Sequence, residues 1–274
     1  MRLKTYTPCY FLLFLSIHTT LLADLGREPD PLLTAGLFEG DIAGIKTKNL
    51  HDIVHNVQKW PDSVVPYQIN PNMDYNKRRA IQKAIRRIQR NTCVQFVPHS
   101  TNYSDYVKLT TGTGCSSQVG RVGGKQKIIL GVGCDRVGVV LHLLMHALGF
   151  WHENSRTDRD DYVLINRQNI MSGKTSNFRA YTHPKSHHFS EPFDYKSLMH
   201  MSPFAFAKDG QYPTILSKDE RYKLGQRLTL SQADHNKIVK SYCGRRHGEP
   251  EPERELEKDV ELQPRRPQQI LGNL

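Results

Sequence analysis

The chain has 274 residues, with 38 Lys and Arg against 27 Asp and Glu, for a formal net charge of +11. Its 38% apolar and 24% charged residues exclude wholesale disorder, collagen and a simple coiled coil, and its length accommodates one large domain or two small ones. The basic excess leaves nucleic acid, acidic polysaccharide and membrane surface as partner classes that composition does not separate.

The chain opens MRLKTYTPCYFLLFLSIHTTLLAD. Arg2 and Lys4 form a basic start, Tyr10 to Ile17 an apolar core, and Ala23 a small residue before a cut. This pattern predicts a secretory signal peptide over residues 1–23 and a secreted protein. No later apolar run reaches the ~18 residues of a membrane helix, so no membrane anchor is expected. Removing the signal takes away Cys9 and leaves Cys93, Cys115, Cys134 and Cys243. Four cysteines in an oxidising compartment predict two disulfides, with three pairings open. The triplet Asn102, Tyr103, Ser104 is a glycosylation acceptor.

Residues 24–50 have little periodicity and read as a pro-segment or linker. The domain then runs over residues 51–244, without internal repeats. From Gly244 the chain is charged, rich in Pro and Glu and poor in aromatics, so residues 245–274 are expected to be a flexible, disordered tail.

Within the domain, Tyr67 to Ile69 reads as a short strand following Pro66. Asp74 precedes a helical pattern in which Ile81, Ala84, Ile85 and Ile88 share one face. The opposite face carries Lys77, Arg78, Arg79, Lys83, Arg86, Arg87 and Arg90 without an acid among them. It is a solvated face or a surface for an acidic partner, and residues 77–90 are the candidate polyanion contact. No nucleic-acid motif accompanies this charge, so nucleic acid is not an expected partner. Cys93 to Val97, Tyr106 to Leu109 and Lys127 to Leu130 read as strands. The Gly-rich stretch from Gly112 to Gly133 lacks a phosphate-loop signature. Val137 to Leu148 is a buried helix, and helical segments are expected near residues 165–178 and 231–242. Strands come first and helices later, so the class is α+β.

Two histidines interrupt the buried helix. His142 and His146 lie four apart, which puts both imidazoles on one face, one turn apart. Gly149 lets the backbone break out of the helix, and His152 arrives as a third ligand. The spacing H-x-x-x-H-x-x-G-x-x-H fits tetrahedral zinc, one ion per chain. Three unrelated histidines among the 13 in the chain would not require a glycine at the break.

Residues 142–162, HLLMHALGFWHENSRTDRDDY, resemble the zinc signature of the astacin metalloendopeptidases in the metzincin clan. Trp60 and Pro61, with Val64 to Tyr67, are similar to the start of that family's mature domain. Gly114 and Cys115, with Val119 to Arg121, are similar to its cysteine loop. Ser197 to His200 and Pro203 to Phe206 are similar to its methionine turn. Leu224 to Arg227, with Leu230 and Ser231, are similar to the entry of its last helix. The resemblance implies a two-lobed fold, with a mixed sheet and long helices around a zinc cleft. It implies the disulfides Cys93–Cys243 and Cys115–Cys134, and Met199 as a hydrophobic floor under the metal. It implies that Glu153 anchors the new N-terminus after pro-segment removal. It also gives the motif Phe38 to Ile42 (FEGDI) a role, with Asp41 as the zinc ligand of a latent form.

Two positions depart from the family pattern. Leu143 follows the first histidine, where the family has glutamate. That glutamate takes a proton from the attacking water and passes it to the leaving amine. Leucine has no atom for either transfer. Met201 stands where the family has a tyrosine that stabilises the oxyanion, and a thioether has no proton to donate. No catalytic residue is therefore assigned. Glu153, Asp158, Asp160 and Asp161 follow the third histidine, and nothing in the sequence places them against the metal. The expected function is a secreted zinc metalloendopeptidase homologue with an intact metal site and impaired hydrolysis, holding a peptide or protein ligand in its cleft. The alternative is an active zinc endopeptidase using an unrecognised base.

Overall fold

The computed structural model describes residues 30–33, 37–45, 57–180 and 189–244. The signal segment, the charged tail and residues 24–29, 34–36, 46–56 and 181–188 lie outside the described residues.

The first strand, β1 (Val64–Ile69), begins three residues before the stretch read from sequence and contains Pro66. Its ladder to one neighbour spans Val64 to Tyr67, whereas its ladder to the other begins only at Tyr67. A residue without an N–H is therefore tolerated before that point. Helix α1 (Tyr75–Asn91) follows, and the Asp74 carboxylate caps it by accepting from the Lys77 N–H at 2.9 Å. Ala80, Ile81, Ala84, Ile85 and Ile88 are its buried stripe.

Strands β2 (Gln95–Pro98), β3 (Tyr106–Thr110), β4 (Cys115–Ser116) and β5 (Lys125–Leu130) complete a five-stranded sheet in the order β2-β1-β3-β5-β4. The pairings among β1, β2, β3 and β5 are parallel, and the edge strand β4 is antiparallel. α1 supplies the crossover that a parallel β1–β2 pair needs. The period of two sends Val65, Val107, Leu109, Ile128 and Leu130 into one apolar cluster with the buried stripe of α1.

Helix α2 (Val137–Ala147) is buried along nearly its whole length and joins the same cluster. Gly138 permits its close packing: a Cβ there would sit 1.9 Å from the Arg227 carbonyl oxygen. Gly149, with φ of +100°, ends the helix in the left-handed conformation that glycine adopts freely, and its N–H donates to the His146 carbonyl at 2.8 Å.

Beyond this point the structure departs from the helical expectation for residues 165–178. It has two 3₁₀ turns, Arg167–Asn169 and Thr175–Phe178, separated by Gly173 in positive φ. Asn166 and Asn177 donate their amides to the Pro213 and Lys174 carbonyls, the side chain–backbone competition that disfavours regular helix. A short antiparallel pair, β6 (Val163–Ile165) with β7 (Ile215–Ser217), lies in this half. A second apolar cluster includes Val163, Ile170, Phe178, Phe206 and Ile215. The chain then forms α3 (Gln232–Ile238), entered by a capping box on Ser231 and Asp234, and a π-helical turn over Val239–Cys243. Cys243 bonds Cys93 across 150 residues, and Cys115 bonds Cys134.

Among the described residues the architecture is α+β, with a five-stranded mixed sheet, a two-stranded antiparallel sheet and three apolar clusters, two of them large. Gly138→Ala is expected to destabilise the chain by about 1–3 kcal/mol, because the Arg227 backbone cannot swing aside as a side chain would. Thermal unfolding by circular dichroism reads this as a lowered Tm; an unchanged Tm would contradict the packing.

Candidate metal centre

α2 places His142 and His146 one turn apart, and the turn at Gly149 returns the chain so that His152 faces them. All three are buried, His142 and His146 completely. His142 Nε2 and His152 Nε2 are 3.2 Å apart. The turn Phe38–Ile42 adds Asp41, whose Oδ2 lies 2.9 Å from His142 Nε2 and 3.4 Å from His146 Nε2. Its Oδ1 lies 3.4 Å from His152 Nε2. The ligating atoms of the four residues fall within 4.8 Å of one another.

The outward ring nitrogens decide the tautomers. His142 Nδ1 donates to the Leu198 carbonyl at 2.9 Å, and His146 Nδ1 donates to the Phe150 carbonyl at 2.8 Å. His152 Nδ1 donates to Glu39 Oε2 at 2.6 Å. With a proton on each Nδ1, the three Nε2 lone pairs point at one spot, the arrangement of metal-ligating histidines. Burial lowers the pKa of His142 and of His152 to about 3, so both rings are neutral donors at physiological pH. Burial pushes the Asp41 carboxyl up, but the three histidines outweigh it and hold it well below the ordinary carboxylate range.

These groups fit a cation and fit poorly without one. Asp41 is 0% exposed, yet neither of its oxygens makes a properly directed hydrogen bond, and His146 Nε2 makes none either. A buried carboxylate facing three lone pairs is unfavourable unless a positive charge lies between them. Three nitrogens and one oxygen are a donor set suited to one zinc ion.

The methionine turn, Ser197–Met201, is built on Asp234. Its carboxylate accepts from Ser197 Oγ at 2.6 Å and from the Leu198 N–H at 2.8 Å, while also capping α3. Because Leu198 carries the carbonyl that holds His142, this turn orients a ligand. Met199 belongs to the larger apolar cluster. Leu143, 0% exposed, belongs to that cluster too. Met201 packs into the second core, and its sulfur accepts from Asn154 Nδ2 at 3.2 Å.

Of the four carboxylates that follow the third histidine, three are engaged by cations. Glu153 Oε2 accepts from Lys237 Nζ at 2.5 Å, and Oε1 accepts from Arg156 Nη1 at 3.2 Å and the Asp194 N–H at 3.1 Å. Asp158 takes the Arg156 guanidinium through both oxygens, at 2.8 and 2.7 Å. Asp160 lies on Arg159, with its side chain 73% exposed. Asp161 is exposed. Among the described residues, the carboxylates hydrogen-bonded or ion-paired to the three histidines are Asp41 and Glu39. Sequence reasoning missed Glu39, Asn154, Asp234 and Lys237. Only Glu39 carried a signal, as a neighbour of Asp41 within FEGDI.

A profile of the peptidase family described as Astacin matches residues 52–243. The chain belongs to the astacin family. Zinc metalloproteinase nas-14 of Caenorhabditis elegans is 39% identical over 248 residues, covering 79% of this chain and 49% of that protein. Human meprin A subunit beta is 38% identical over 209 residues, covering 75% of this chain and 29% of that protein. The chain thus spans about half or less of these relatives. Among solved structures, high choriolytic enzyme 1, a hatching enzyme zinc-protease from Oryzias latipes, superposes with a TM-score of 0.63 at 31% identity, over 75% of this chain and 100% of its own. Myroilysin, at 20% identity and a TM-score of 0.51, shares the fold. The astacin-like metzincin architecture and the cluster of three histidines with Asp41 agree on one zinc per chain.

Elemental analysis of the purified full chain is expected to find one zinc, and His146→Ala is expected to abolish stoichiometric binding. A full equivalent of zinc in that variant would refute the assignment. Lys237→Met leaves Glu153 buried with reduced compensation and is expected to cost about 3 kcal/mol, read by urea denaturation. No shift in the urea midpoint would show that the pair contributes nothing.

Proposed function

We propose that this chain is a secreted astacin-family protein that keeps the zinc and the peptide cleft of its relatives but not efficient hydrolysis. The observation that carries this reading is Leu143, a fully buried leucine on α2 directly after the first ligand histidine. When bound, zinc polarises a peptide carbonyl and acidifies a water. His142, His146 and His152 hold the metal. The remaining chemistry requires a group that takes a proton from the attacking water and delivers it to the departing amine. Leu143 has no such atom, and general acid–base assistance is worth roughly 10²–10⁴-fold. Met201 offers no proton to an oxyanion, and its sulfur is committed to Asn154. The loss of one such donor costs about 10²–10³ in rate.

Asp41 is read as the ligand that closes the zinc in a latent form, within a pro-segment of residues 24–50 that precedes the domain at 51–244. The N-terminal signal pattern and two disulfides support secretion. No helix among the described residues is long and apolar enough to cross a membrane. Asn102 is exposed, as a glycan acceptor must be. Arg79, Lys83, Arg86, Arg87 and Arg90 lie along α1 and offer a polyanion contact. The ligand of the cleft is a peptide or protein segment. The rival reading, a working endopeptidase with another base, has little to draw on, since Glu153, Asp158 and Asp160 are each held by a cation.

The test is a gain of function. With the pro-segment removed, Leu143→Glu combined with Met201→Tyr is expected to raise casein cleavage at least about 10²-fold over the natural chain. No gain would show that something besides these two positions has been lost.

A further inference from the structure

The three histidines are not held alike. His142 and His146 donate their Nδ1 protons to main-chain carbonyls, Leu198 and Phe150, inside the domain. His152 donates to a carboxylate from outside it, Glu39 Oε2 at 2.6 Å. Glu39 sits two residues from Asp41 on the same turn, so a single turn touches the metal cluster twice. One contact is Asp41 at the inward Nε2 atoms, and the other is Glu39 at an outward Nδ1.

Glu39 is built in, not laid on. It is 1% exposed. Its other oxygen accepts from Ser155 Oγ at 2.8 Å, and its N–H donates to Asn177 Oδ1 at 2.7 Å. Its φ of 50° is a left-handed conformation that a residue with a side chain adopts only when its surroundings impose it. Those surroundings are explicit. The Ile42 N–H donates to the Phe38 carbonyl at 3.0 Å, closing the turn. The Ala43 N–H donates to the Ser117 carbonyl at 2.8 Å, and the Ser117 N–H donates to the Asp41 carbonyl at 2.9 Å. Phe38 and Ile42 bury their side chains with Val119 and Trp151. A carboxylate so fixed on the outer nitrogen of a metal ligand sets its tautomer, locks its ring plane and raises its basicity.

We propose that Glu39 is a positioning residue of the zinc centre. Its carboxylate holds His152 in the ligating tautomer, so the turn 38–42 strengthens zinc binding while it remains attached, beyond what the three histidines supply by themselves. This rests on the assignment of zinc to the four-residue cluster and deepens the latent reading of Asp41.

The test compares the full chain with Glu39→Ala, Glu39→Gln and Asp41→Asn. Zinc affinity is measured by competition with a chromophoric chelator, the coordination sphere by the visible spectrum of the cobalt-substituted protein, and folding by melting of the metal-free protein. Glu39→Ala is expected to weaken zinc binding about 10–100-fold. At saturating cobalt it keeps the intense four-donor spectrum, because no direct ligand is lost. Glu39→Gln, which retains an acceptor oxygen, recovers part of the affinity. Asp41→Asn alters the cobalt spectrum itself. Unchanged zinc affinity in both Glu39 variants overturns the proposal. So does a loss of affinity that merely follows a lowered metal-free melting temperature with no rescue by glutamine. An unaltered cobalt spectrum in Asp41→Asn refutes the fourth ligand and leaves the role of Glu39 standing on its affinity data. Absence of zinc from the natural chain would instead defeat the zinc assignment.

Discussion

Three imidazoles must aim their Nε2 atoms at one buried point, and much of this structure serves that requirement. Each ring needs an acceptor behind it to keep the proton on Nδ1, and the three acceptors come from three distant segments. Leu198 lies on a turn tied by Asp234 to the head of α3. Phe150 lies just past the break at Gly149. Glu39 lies on the turn that also brings Asp41. The sheet and α1 form the wall against which α2 is packed, and burial lowers the pKa of His142 and of His152.

Metal binding and catalysis place separate demands on this scaffold. Ligation needs lone pairs at fixed separations, and those are present. Hydrolysis needs, in addition, a proton carrier beside the cleft and a donor for the developing oxyanion. At both positions this chain has an apolar or weakly polar side chain embedded in a core, Leu143 in one and Met201 in the other. On the function proposed above, these two losses would act on one transition state and would not simply add. Glu153 shows the same economy of charge. The sequence resemblance gives it a new N-terminus as partner, and here its oxygens are already taken by Lys237, Arg156 and the Asp194 N–H.

The histidine triad was legible because helix periodicity and one glycine are local signals. His142 and His146 share a face whatever surrounds them, and Gly149 marks where the chain must turn. α1 was legible for the same reason, from its cap and apolar stripe. Long-range contacts were not. Asp41 lies about a hundred residues from the triad and entered only through the family resemblance. Glu39 lay in the same motif, but no spacing rule connects it to His152. Pro66 hid the start of β1, since a proline reads as a strand break unless the neighbour on one side is known to begin later. In the stretch 165–178, where helix was expected, the asparagines and Gly173 outcompeted it through contacts that a sequence does not display.

The central claim is that this chain separates zinc binding from hydrolysis. It is tested most directly by counting zinc and measuring casein turnover on one preparation from which the pro-segment has been removed. The account predicts one zinc per chain and cleavage at least about 10²-fold slower than in the Leu143→Glu, Met201→Tyr variant prepared the same way. A fully zinc-loaded natural chain that cleaves as fast as that variant would contradict it.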